Sequence, residues 1–516
     1  MTTQATFLSF TAATVRNAVR DYFEPLVRLI TRLRLLFGQS TAAPQAQTPE
    51  PETVAAREEE RPDPLMTMIN LAETHRAEGN LQEARALQEQ VLETQRQLLG
   101  EEHPDTLTAK SNLAATLWSQ EDFVGARAFQ EQVLLVRRRV LGEEHPATLT
   151  AMMNLAATLW EQGDLPGAHA LEEQVLSVRR RVLGEQHPDT LTGMVNLAAT
   201  LWEQGDLSSA RALEEQVLSV RRRVLGEDHP STLSATNNLA ETLRAQGNLP
   251  GARLLQEQVL SARRRLLGDE HADTLKSMDN LSETLQAQGF LPGLRELQER
   301  ALAIRRRVLG EEHADTLAAM SNLAATLWTQ GDLPNARTFQ EWVLSVRKRG
   351  LGEDHPDTLT AMSNLAATLS TQGELASARA LEEQVLSIRR RVLGDEHPDT
   401  LTGMVNLAVT LWTQGNLQAA LALEEQVLSV RQRVLGEHHP STLAAMSNLA
   451  HTLWQMDAQD RAIALINSAA EGWASTSGAR HPDAVASTNA LATWRAKKKV
   501  LPRVQAEAVS VVTGKR

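Results

Sequence analysis

Residues 149–190 have the sequence LTAMMNLAATLWEQGDLPGAHALEEQVLSVRRRVLGEQHPDT. In its first half, apolar side chains recur at helical spacing: Leu149, Met152, Leu155, Ala156 and Leu159. The segment QGDLP then interrupts the pattern with Gly163 and Pro166. In its second half the spacing resumes: Ala168, Leu171, Val175, Val178 and Val182. The stretch therefore predicts two antiparallel helices, called helix A and helix B below, joined by a tight turn.

The same unit returns every 42 residues, and its clearest marker is the joint between units. The joint reads LLGEEHPDTL at residues 98–107 and VLGEQHPDTL at residues 182–191. Its histidine recurs ten times: His103, His145, His187, His229, His271, His313, His355, His397, His439 and His481. One hairpin cannot bury its apolar face alone, so stacking on neighbours must supply the core. The repeat therefore predicts an all-α solenoid of stacked antiparallel helix pairs.

Composition divides the chain into four parts. They are an amphipathic N-terminal helical segment at residues 1–40, a disordered linker at 41–63, the repeat array at 64–496 and a basic tail at 497–516. The linker is rich in proline, alanine and charge, a composition that favours a flexible connection. The array is expected to hold about ten 42-residue units and a degenerate C-terminal cap.

The bulk composition excludes several classes of protein. The net charge of −12 disfavours nucleic acid as the main partner, because phosphate binding needs a basic surface. The absence of cysteine excludes disulfides and thiolate metal sites, and it fits a reducing compartment such as the cytoplasm. No apolar run reaches the roughly 18 residues of a membrane-spanning helix. The first fifteen residues carry no lysine or arginine, which argues against a secretory signal.

The histidine joint admits two interpretations. His103 with Glu101, Glu102 and Asp105 offers good metal-ligand chemistry, and a zinc site needs about four donors. Equivalent joints lie on the order of 10 Å apart, so their histidines cannot share one ion. The structural interpretation is favoured. Gly142 then closes helix B as a left-handed residue, proline suits the next helix's first turn, and histidine caps or packs the joint. We expect no metal and no cofactor.

Four marks resemble the tetratricopeptide repeat in its 42-residue, kinesin-light-chain-type form: NLA in helix A, QGDLPGA at the turn, ALEEQVL in helix B and LGEEHPDTL at the joint. The resemblance covers about residues 64–484 and weakens after Asp457. It implies a right-handed superhelix whose concave inner face is lined by helix A. Such arrays serve many different proteins, so the resemblance says more about fold than about biology. No catalytic motif accompanies it, and we expect no enzyme.

An asparagine occupies the same place in all ten helix A segments: Asn70, Asn112, Asn154, Asn196, Asn238, Asn280, Asn322, Asn364, Asn406 and Asn448. Asparagine is a mediocre helix former, so its presence in mid-helix needs a reason. In peptide-binding tetratricopeptide proteins the equivalent asparagines hold the backbone of an extended ligand, and an amide has both donor and acceptor for this. The alternative is a bond to a neighbouring repeat's backbone. The resemblance marks the eight from Asn112 to Asn406 as peptide-binding.

Six positions after the asparagine, many units carry a tryptophan: Trp118, Trp160, Trp202, Trp328, Trp412 and Trp454. The helical turn places it about 120° round from the asparagine, at the edge of the same groove. Other units have Arg76, Arg244, Gln286 or Ser370 there, and a core position would not tolerate arginine. We favour an exposed or half-exposed rim over an interior position, and we predict that the first five tryptophans anchor the ligand.

Charge on the same face bears on the partner. The charged positions are mostly acidic: Glu73, Glu161, Glu203, Glu241, Asp279 and Glu283. Lys276 and Arg244 are the exceptions. Kinesin light chains that bind acidic cargo peptides carry basic residues in this groove, and this sequence departs from them. We therefore expect a protein or peptide partner that is neutral to basic and is held by apolar anchors.

Arginine triplets, such as residues 179–181, recur near the end of helix B. Cations suit the C-terminal end of a helix, and they can pair with the glutamates of the same helix. We interpret the triplets as a solvated ridge on the convex side rather than as a nucleic-acid patch.

The first forty residues carry an amphipathic stripe with alternating steps of four and three: Val15, Val19, Tyr22, Leu26, Leu29, Leu33 and Leu36. Five arginines in this segment oppose Asp21 and Glu24, which gives 5 − 2 = +3. Three roles compete: a helix that caps the array, a helix for self-association or an effector, and a membrane-surface helix. The sequence favours the partner helix first and the membrane surface second.

Two classes of function follow from these expectations. The first is a non-enzymatic scaffold that binds an extended peptide in the concave groove. The second is a regulatory or sensor protein, in which the array recognises a ligand and residues 1–40 act as effector or membrane-surface anchor.

Overall fold

A computed structural model describes the backbone of residues 64–513 and the side chains up to Lys498. Every regular element in this range is an α-helix, and the helices follow one another in pairs. The amphipathic segment at 1–40 and the linker at 41–63 lie outside the described residues. The predicted all-α stack of helix pairs is confirmed.

Ten hairpins and one last helix make up residues 64–513. The helix A segments are α1 (Pro64–Ala77), α3 (Pro104–Ser119), α5 (Pro146–Glu161), α7 (Pro188–Glu203), α9 (Pro230–Ala245), α11 (Ala272–Ala287), α13 (Ala314–Thr329), α15 (Pro356–Gln372), α17 (Pro398–Thr413) and α19 (Pro440–Gln455). The helix B segments are α2 (Leu81–Leu99), α4 (Phe123–Leu141), α6 (Leu165–Leu183), α8 (Leu207–Leu225), α10 (Leu249–Leu267), α12 (Leu291–Leu309), α14 (Leu333–Leu351), α16 (Leu375–Leu393), α18 (Leu417–Leu435) and α20 (Gln459–Thr476). The last helix, α21 (Pro482–Thr513), continues past the array end expected at residue 496. Among these helices, none combines the length and the apolar character needed to cross a bilayer.

The described chain forms two compact units, residues 64–304 and residues 305–513. The first holds α1 to α11 and most of α12, and the second holds the end of α12 and α13 to α21. Within each unit, contacts run mainly between helices that are successive in sequence. This nearest-neighbour pattern is that of a solenoid, in which each hairpin is stabilised by the next.

The core follows the predicted helical spacing through most of each hairpin. All five marked side chains of α5 are buried, as are Ala168, Val175 and Val178 of α6. The full burial of Ala156 against the core, like that of Ala168, agrees with a close seam between helices. Val182 continues the same spacing but is exposed, because the 19-residue α6 is longer than the 16-residue α5.

The joint histidine is a helix cap at all ten joints of the described chain. Its Nδ1 accepts a hydrogen bond from the backbone N–H two residues on, at 3.1–3.3 Å. His145 has the extended conformation of an N-cap, with φ −67° and ψ 136°. Gly142 has the expected positive φ, 88°, but its ψ of 170° belongs to a region open only to glycine rather than to the left-handed helix. No group of three or more metal-ligating side chains occurs in the part of the chain that the structure describes.

We expect His145→Ala to lower the free energy of unfolding by about 1 kcal/mol, because the first turn of α5 loses its side-chain acceptor. His145→Asn should retain most of the stability, since asparagine is a good N-cap. Urea unfolding followed by circular dichroism, with hydrogen exchange at α5, measures both. Equal loss in the two variants would show that capping is not what the histidine contributes.

The arginine triplets form a solvated ridge only in part, because the third arginine is exposed whereas the first binds within the array. The first arginine donates from Nη1 to the main-chain carbonyl ten residues on, as Arg179 does to Asp189 at 2.9 Å. At Arg431, burial lowers the pKa to about 10. The third arginine pairs with a carboxylate of the preceding joint, as Arg181 does with Glu144 at 2.5 Å. The joint acids and the arginines therefore connect successive repeats, although each exposed pair contributes little by itself.

Candidate functional site

One face of each helix A remains accessible after the hairpins stack, and α5 illustrates it. Thr150 and Asn154 are exposed, while Ala157, Trp160 and Glu161 are half-buried. Most of the side chains between them are buried. Residues three or four apart share one side of a helix, so these positions form a continuous strip. These five positions, with their equivalents in the other repeats, are called the helix A stripe.

The eight asparagines predicted to bind peptide all lie on the helix A stripe. Asn154 and Asn322 are exposed. The others are half-buried: Asn112, Asn196, Asn238, Asn280, Asn364 and Asn406. In the last hairpin the equivalent Asn448 is buried. Accessible amides therefore lie on α3 to α11 in the first unit and on α13, α15 and α17 in the second.

The side-chain amides differ in their partners. Asn280 Nδ2 donates to Asn237 Oδ1 of the preceding helix A at 2.9 Å. At this repeat the asparagine therefore bonds to its neighbour, through a side chain rather than through the backbone. The amides of the other seven make no hydrogen bond with the residues that the structure describes. These amides keep both donor and acceptor for a ligand.

The tryptophans of the stripe, Trp118, Trp160, Trp202, Trp328, Trp412 and Trp454, are all half-buried. Trp160 packs against the core cluster that contains Leu155 and Leu159. Trp328 Nε1 donates to Thr371 Oγ1 in the next helix A at 3.3 Å. Each indole therefore belongs partly to the core and partly to the surface, which is the position of a rim. Their role as anchors stays a prediction.

Charge along the stripe is not uniform. Arg244 Nη2 lies 2.9 Å from Glu241 Oε2 and 3.4 Å from Glu283 Oε2, so this arginine joins carboxylates of α9 and α11. Arg244, one of the two cations that the sequence places on this face, therefore pairs with two acids. On α5 and α7 the stripe carries the half-buried acids Glu161 and Glu203. The stripe is consequently acidic there and more nearly balanced at α9 and α11.

Two side chains that depart from the repeat pattern escaped the sequence analysis. Trp342 is exposed on α14, where it takes the place of Gln174 and its equivalents on helix B. Lys110 is buried at a place where α5 has Met152, and its Nζ lies 2.6 Å from Glu101 Oε2. Hydrogen bonds from Lys110 and then Arg96 lower the pKa of the Glu101 carboxyl. The sequence could have revealed both residues, because each differs from the residues at the same place in the other repeats.

The stacked hairpins define a helical repeat protein. Family models described as tetratricopeptide repeat match residues 63–134, 108–181 and 273–349, and also residues 190–231, 232–273, 358–399, 400–441 and 442–483. These matches together cover more than half of the 516 residues, so the chain belongs to the tetratricopeptide repeat family. Arrays of this family generally mediate protein interactions and are typically non-enzymatic scaffolds.

Several solved structures are similar to parts of the chain. A kinesin-light-chain-like protein of Podosopora anserina, with nearly identical TPR-like repeats, is 30% identical over 40% of this chain and 97% of its own, with a TM-score of 0.38. BtubC of P. vanneervenii is 20% identical over 48% and 93%, with a TM-score of 0.38. A signal-transduction ATPase with a tetratricopeptide repeat sensor, from Pyrococcus horikoshii, is 12% identical over 71% and 52%, with a TM-score of 0.47. No curated protein sequence matches the chain.

Proposed function

We propose that this protein is a non-enzymatic scaffold whose helix A stripe binds an extended peptide. The observation that carries the proposal is the seven asparagine amides without partners among the described residues, four on α3, α5, α7 and α9 of the first unit and three on α13, α15 and α17 of the second. An extended peptide presents backbone N–H and C=O groups at regular intervals, and a primary amide complements both. A regular row of such amides suits a regular backbone better than a compact ligand.

The half-buried tryptophans supply the apolar contacts of the proposed site. Trp160 and Trp202 follow Asn154 and Asn196 by six residues, so an amide and an indole recur together in successive hairpins. An indole that is already packed on one side loses little freedom when it binds, which favours its use as an anchor. Apolar side chains of the ligand would lie against these rings.

The charge of the stripe supports a neutral or basic ligand. Glu161 and Glu203 are acidic neighbours of the amides in α5 and α7, and Arg244 is occupied by two carboxylates. An acidic peptide would meet repulsion in α5 and α7 and would find little basic surface in compensation. A basic peptide would not meet this repulsion.

Asn154→Ala/Asn196→Ala should weaken peptide binding roughly 5- to 150-fold, because each amide contributes about 0.5–1.5 kcal/mol. An array of extended peptides in acidic, neutral and basic series, each with regularly spaced apolar residues, identifies the probe. Fluorescence anisotropy with that peptide then measures its Kd for each variant. Asn335→Ala is the matched control, since Asn335 bonds to Asp332 at the start of α14, off the stripe.

Two outcomes would contradict the proposal. Binding restricted to the acidic series would contradict the prediction of a neutral or basic ligand. An unchanged Kd in the asparagine variant would show that the peptide does not bind at the helix A stripe. Trp160→Ala/Trp202→Ala tests the anchors separately. It should reduce binding of peptides with apolar residues more than binding of the same peptides with those residues replaced by alanine.

A further inference from the structure

The last turn of each helix B in the first unit exposes two adjacent apolar side chains. Helix B has 19 residues and helix A has 14 or 16, so the end of helix B projects beyond its neighbour. At the end of α6, Val182 and Leu183 are 55% and 41% exposed. The same two places recur at the ends of α2, α4, α8 and α10, so they follow one edge of the stack. We call them the edge row, and its members are Leu98, Leu99, Val140, Leu141, Val182, Leu183, Val224, Leu225, Leu266 and Leu267.

The edge row is continuous in the first unit, whereas its counterpart in the second unit is interrupted. Within residues 305–513, Gly350 occupies one of the equivalent places, and Thr476 and Ser477 occupy both at the end of the last hairpin. In the first unit every one of these places holds leucine or valine, and each side chain is at least 41% exposed. Apolar surfaces of this extent are rare on monomers and mark interaction sites.

We propose that the edge row joins two copies of this chain in a dimer with two-fold symmetry. Its apolar pairs recur once in each hairpin, at the roughly 10 Å spacing of packed helices. A partner that contacts every pair needs apolar groups with the same period, and a second copy supplies them. The edge row consists of helix B residues alone, so this inference does not depend on peptide binding by the helix A stripe.

Symmetry fixes which helix ends meet. In a two-fold contact the same surface faces itself in the opposite direction. All five pairs are used when the axis passes the end of α6, the third of the five helices. The end of α2 then meets the end of α10 in the other copy, and the end of α4 meets the end of α8.

The area of the edge row is sufficient for a stable dimer. Its ten residues expose on the order of 900 Å², against about 800 Å² that each partner buries in a standard interface. Because this area is largely apolar, its burial favours association. A single short peptide or helix would cover only part of the row and would leave the other pairs in water.

The charges beside the edge row also suit a second copy. Exposed arginines that directly precede the row are paired with acids of the preceding joint, in the pairs Arg139–Glu102, Arg181–Glu144 and Arg265–Asp228. Two such edges therefore approach each other with these charges already compensated. An anionic lipid surface would have to compete with the carboxylates for the arginines.

Sedimentation equilibrium of the full chain tests the dimer. The wild type should be dimeric at micromolar concentration. Val182→Asp/Val224→Asp should raise the dimer dissociation constant more than about 100-fold, because carboxylates of both copies meet in an apolar contact. The matched control is Ser177→Asp/Ser219→Asp, which adds the same charge to exposed places on the same two helices, away from their ends. It should dimerise as the wild type does.

Three results would overturn the proposal. The first is a wild type that stays monomeric, and the second is a dimer that the valine variant retains, since its contact must then lie elsewhere. The third is flotation on phosphatidylserine vesicles by a monomeric wild type but not by the valine variant, which would assign the edge row to a membrane surface.

Cysteine pairing tests the symmetry of the contact, because the chain itself contains no cysteine. Leu98→Cys protein mixed with Leu266→Cys protein should form more disulfide-linked dimers on oxidation than either protein alone. Val182→Cys should link to itself, and Ser177→Cys, its control on the same helix, should stay largely unlinked. These variants add no charge, so they keep the test decisive if the aspartate variant does not fold. Yields for the first two experiments no higher than for Ser177→Cys would contradict the proposed contact.

Discussion

Replacing two buried glutamates of the second unit by glutamine is expected to remove the loss of stability that their deprotonation causes in that unit as the pH rises. Glu382 on α16 and Glu424 on α18 are buried, and their Oε2 atoms have no hydrogen-bond partner within the described chain. Burial raises the pKa of each carboxyl to about 7, against an opposing effect of the Thr410 and Thr452 hydroxyls.

The direction in which stability changes with pH follows from the number of protons bound in the folded and unfolded states. The folded unit keeps these carboxyls protonated up to a pH of about 7, whereas the unfolded chain releases the protons near its ordinary pKa of 4.5. Stability is therefore full below about pH 4.5, falls as the pH rises towards 7, and stays low above it. The difference in pKa corresponds to roughly 3 kcal/mol at each site. Glutamine has no such proton, and it already occupies the equivalent buried positions: Gln88, Gln130, Gln256 and Gln340.

Chemical denaturation at about pH 5 and pH 8, with hydrogen exchange to localise the effect, measures this difference. The change in unfolding free energy between the two should be more unfavourable in the wild type than in Glu382→Gln/Glu424→Gln by several kcal/mol. Buried His451, whose pKa is lowered to about 4, acts in the opposite direction in both proteins. Glu383→Gln is the matched control, because Glu383 is exposed and pairs with Arg379 at 2.8 Å. A double variant with the full pH dependence of the wild type would show that other groups titrate.

The sequence predicted the hairpins well because their core is local and periodic. Met152 and Ala156 are buried where the spacing placed them, and the histidine cap depends on a backbone N–H only two residues away. The partners of the arginines were not predictable in this way. Arg181 reaches Glu144, 37 residues earlier, and that pairing exists only once the hairpins are stacked. Interactions between repeats need the packing geometry, which a periodic pattern does not contain.

In the candidate site, too, the spacing predicted where side chains lie but not which neighbours they contact. The spacing of the asparagines predicted their place on an accessible face. Arg244 occupies the tryptophan position in one repeat, and this predicted that the tryptophans are not fully buried. The hydrogen bond between Asn280 and Asn237 did not follow, because it depends on one local change. Other repeats have Ser111 or Met153 at the place of Asn237. Which ligand binds depends on such differences between repeats, and a pattern shared by all repeats does not contain them.

The repeat pattern itself makes a testable claim at Leu294. Nine other helix B segments have alanine at this place: Ala84, Ala126, Ala168, Ala210, Ala252, Ala336, Ala378, Ala420 and Ala462. If agreement with this alanine consensus decided stability, Leu294→Ala would leave the free energy of unfolding unchanged or raise it. We expect a loss of roughly 2–5 kcal/mol instead, because Leu294 is buried in a cluster with Leu260, Met278 and Leu285, and its removal leaves a cavity.

The reverse change in the preceding hairpin is the matched control. Ala252 is fully buried, so Ala252→Leu should overpack its seam and cost about 1–3 kcal/mol. Packing therefore predicts that both substitutions destabilise, whereas the consensus predicts opposite signs. Urea unfolding with hydrogen exchange at α10, α11 and α12 distinguishes the two. A stable Leu294→Ala variant would mean that the sixth hairpin closes onto alanine as the others do, and that its leucine is tolerated rather than required.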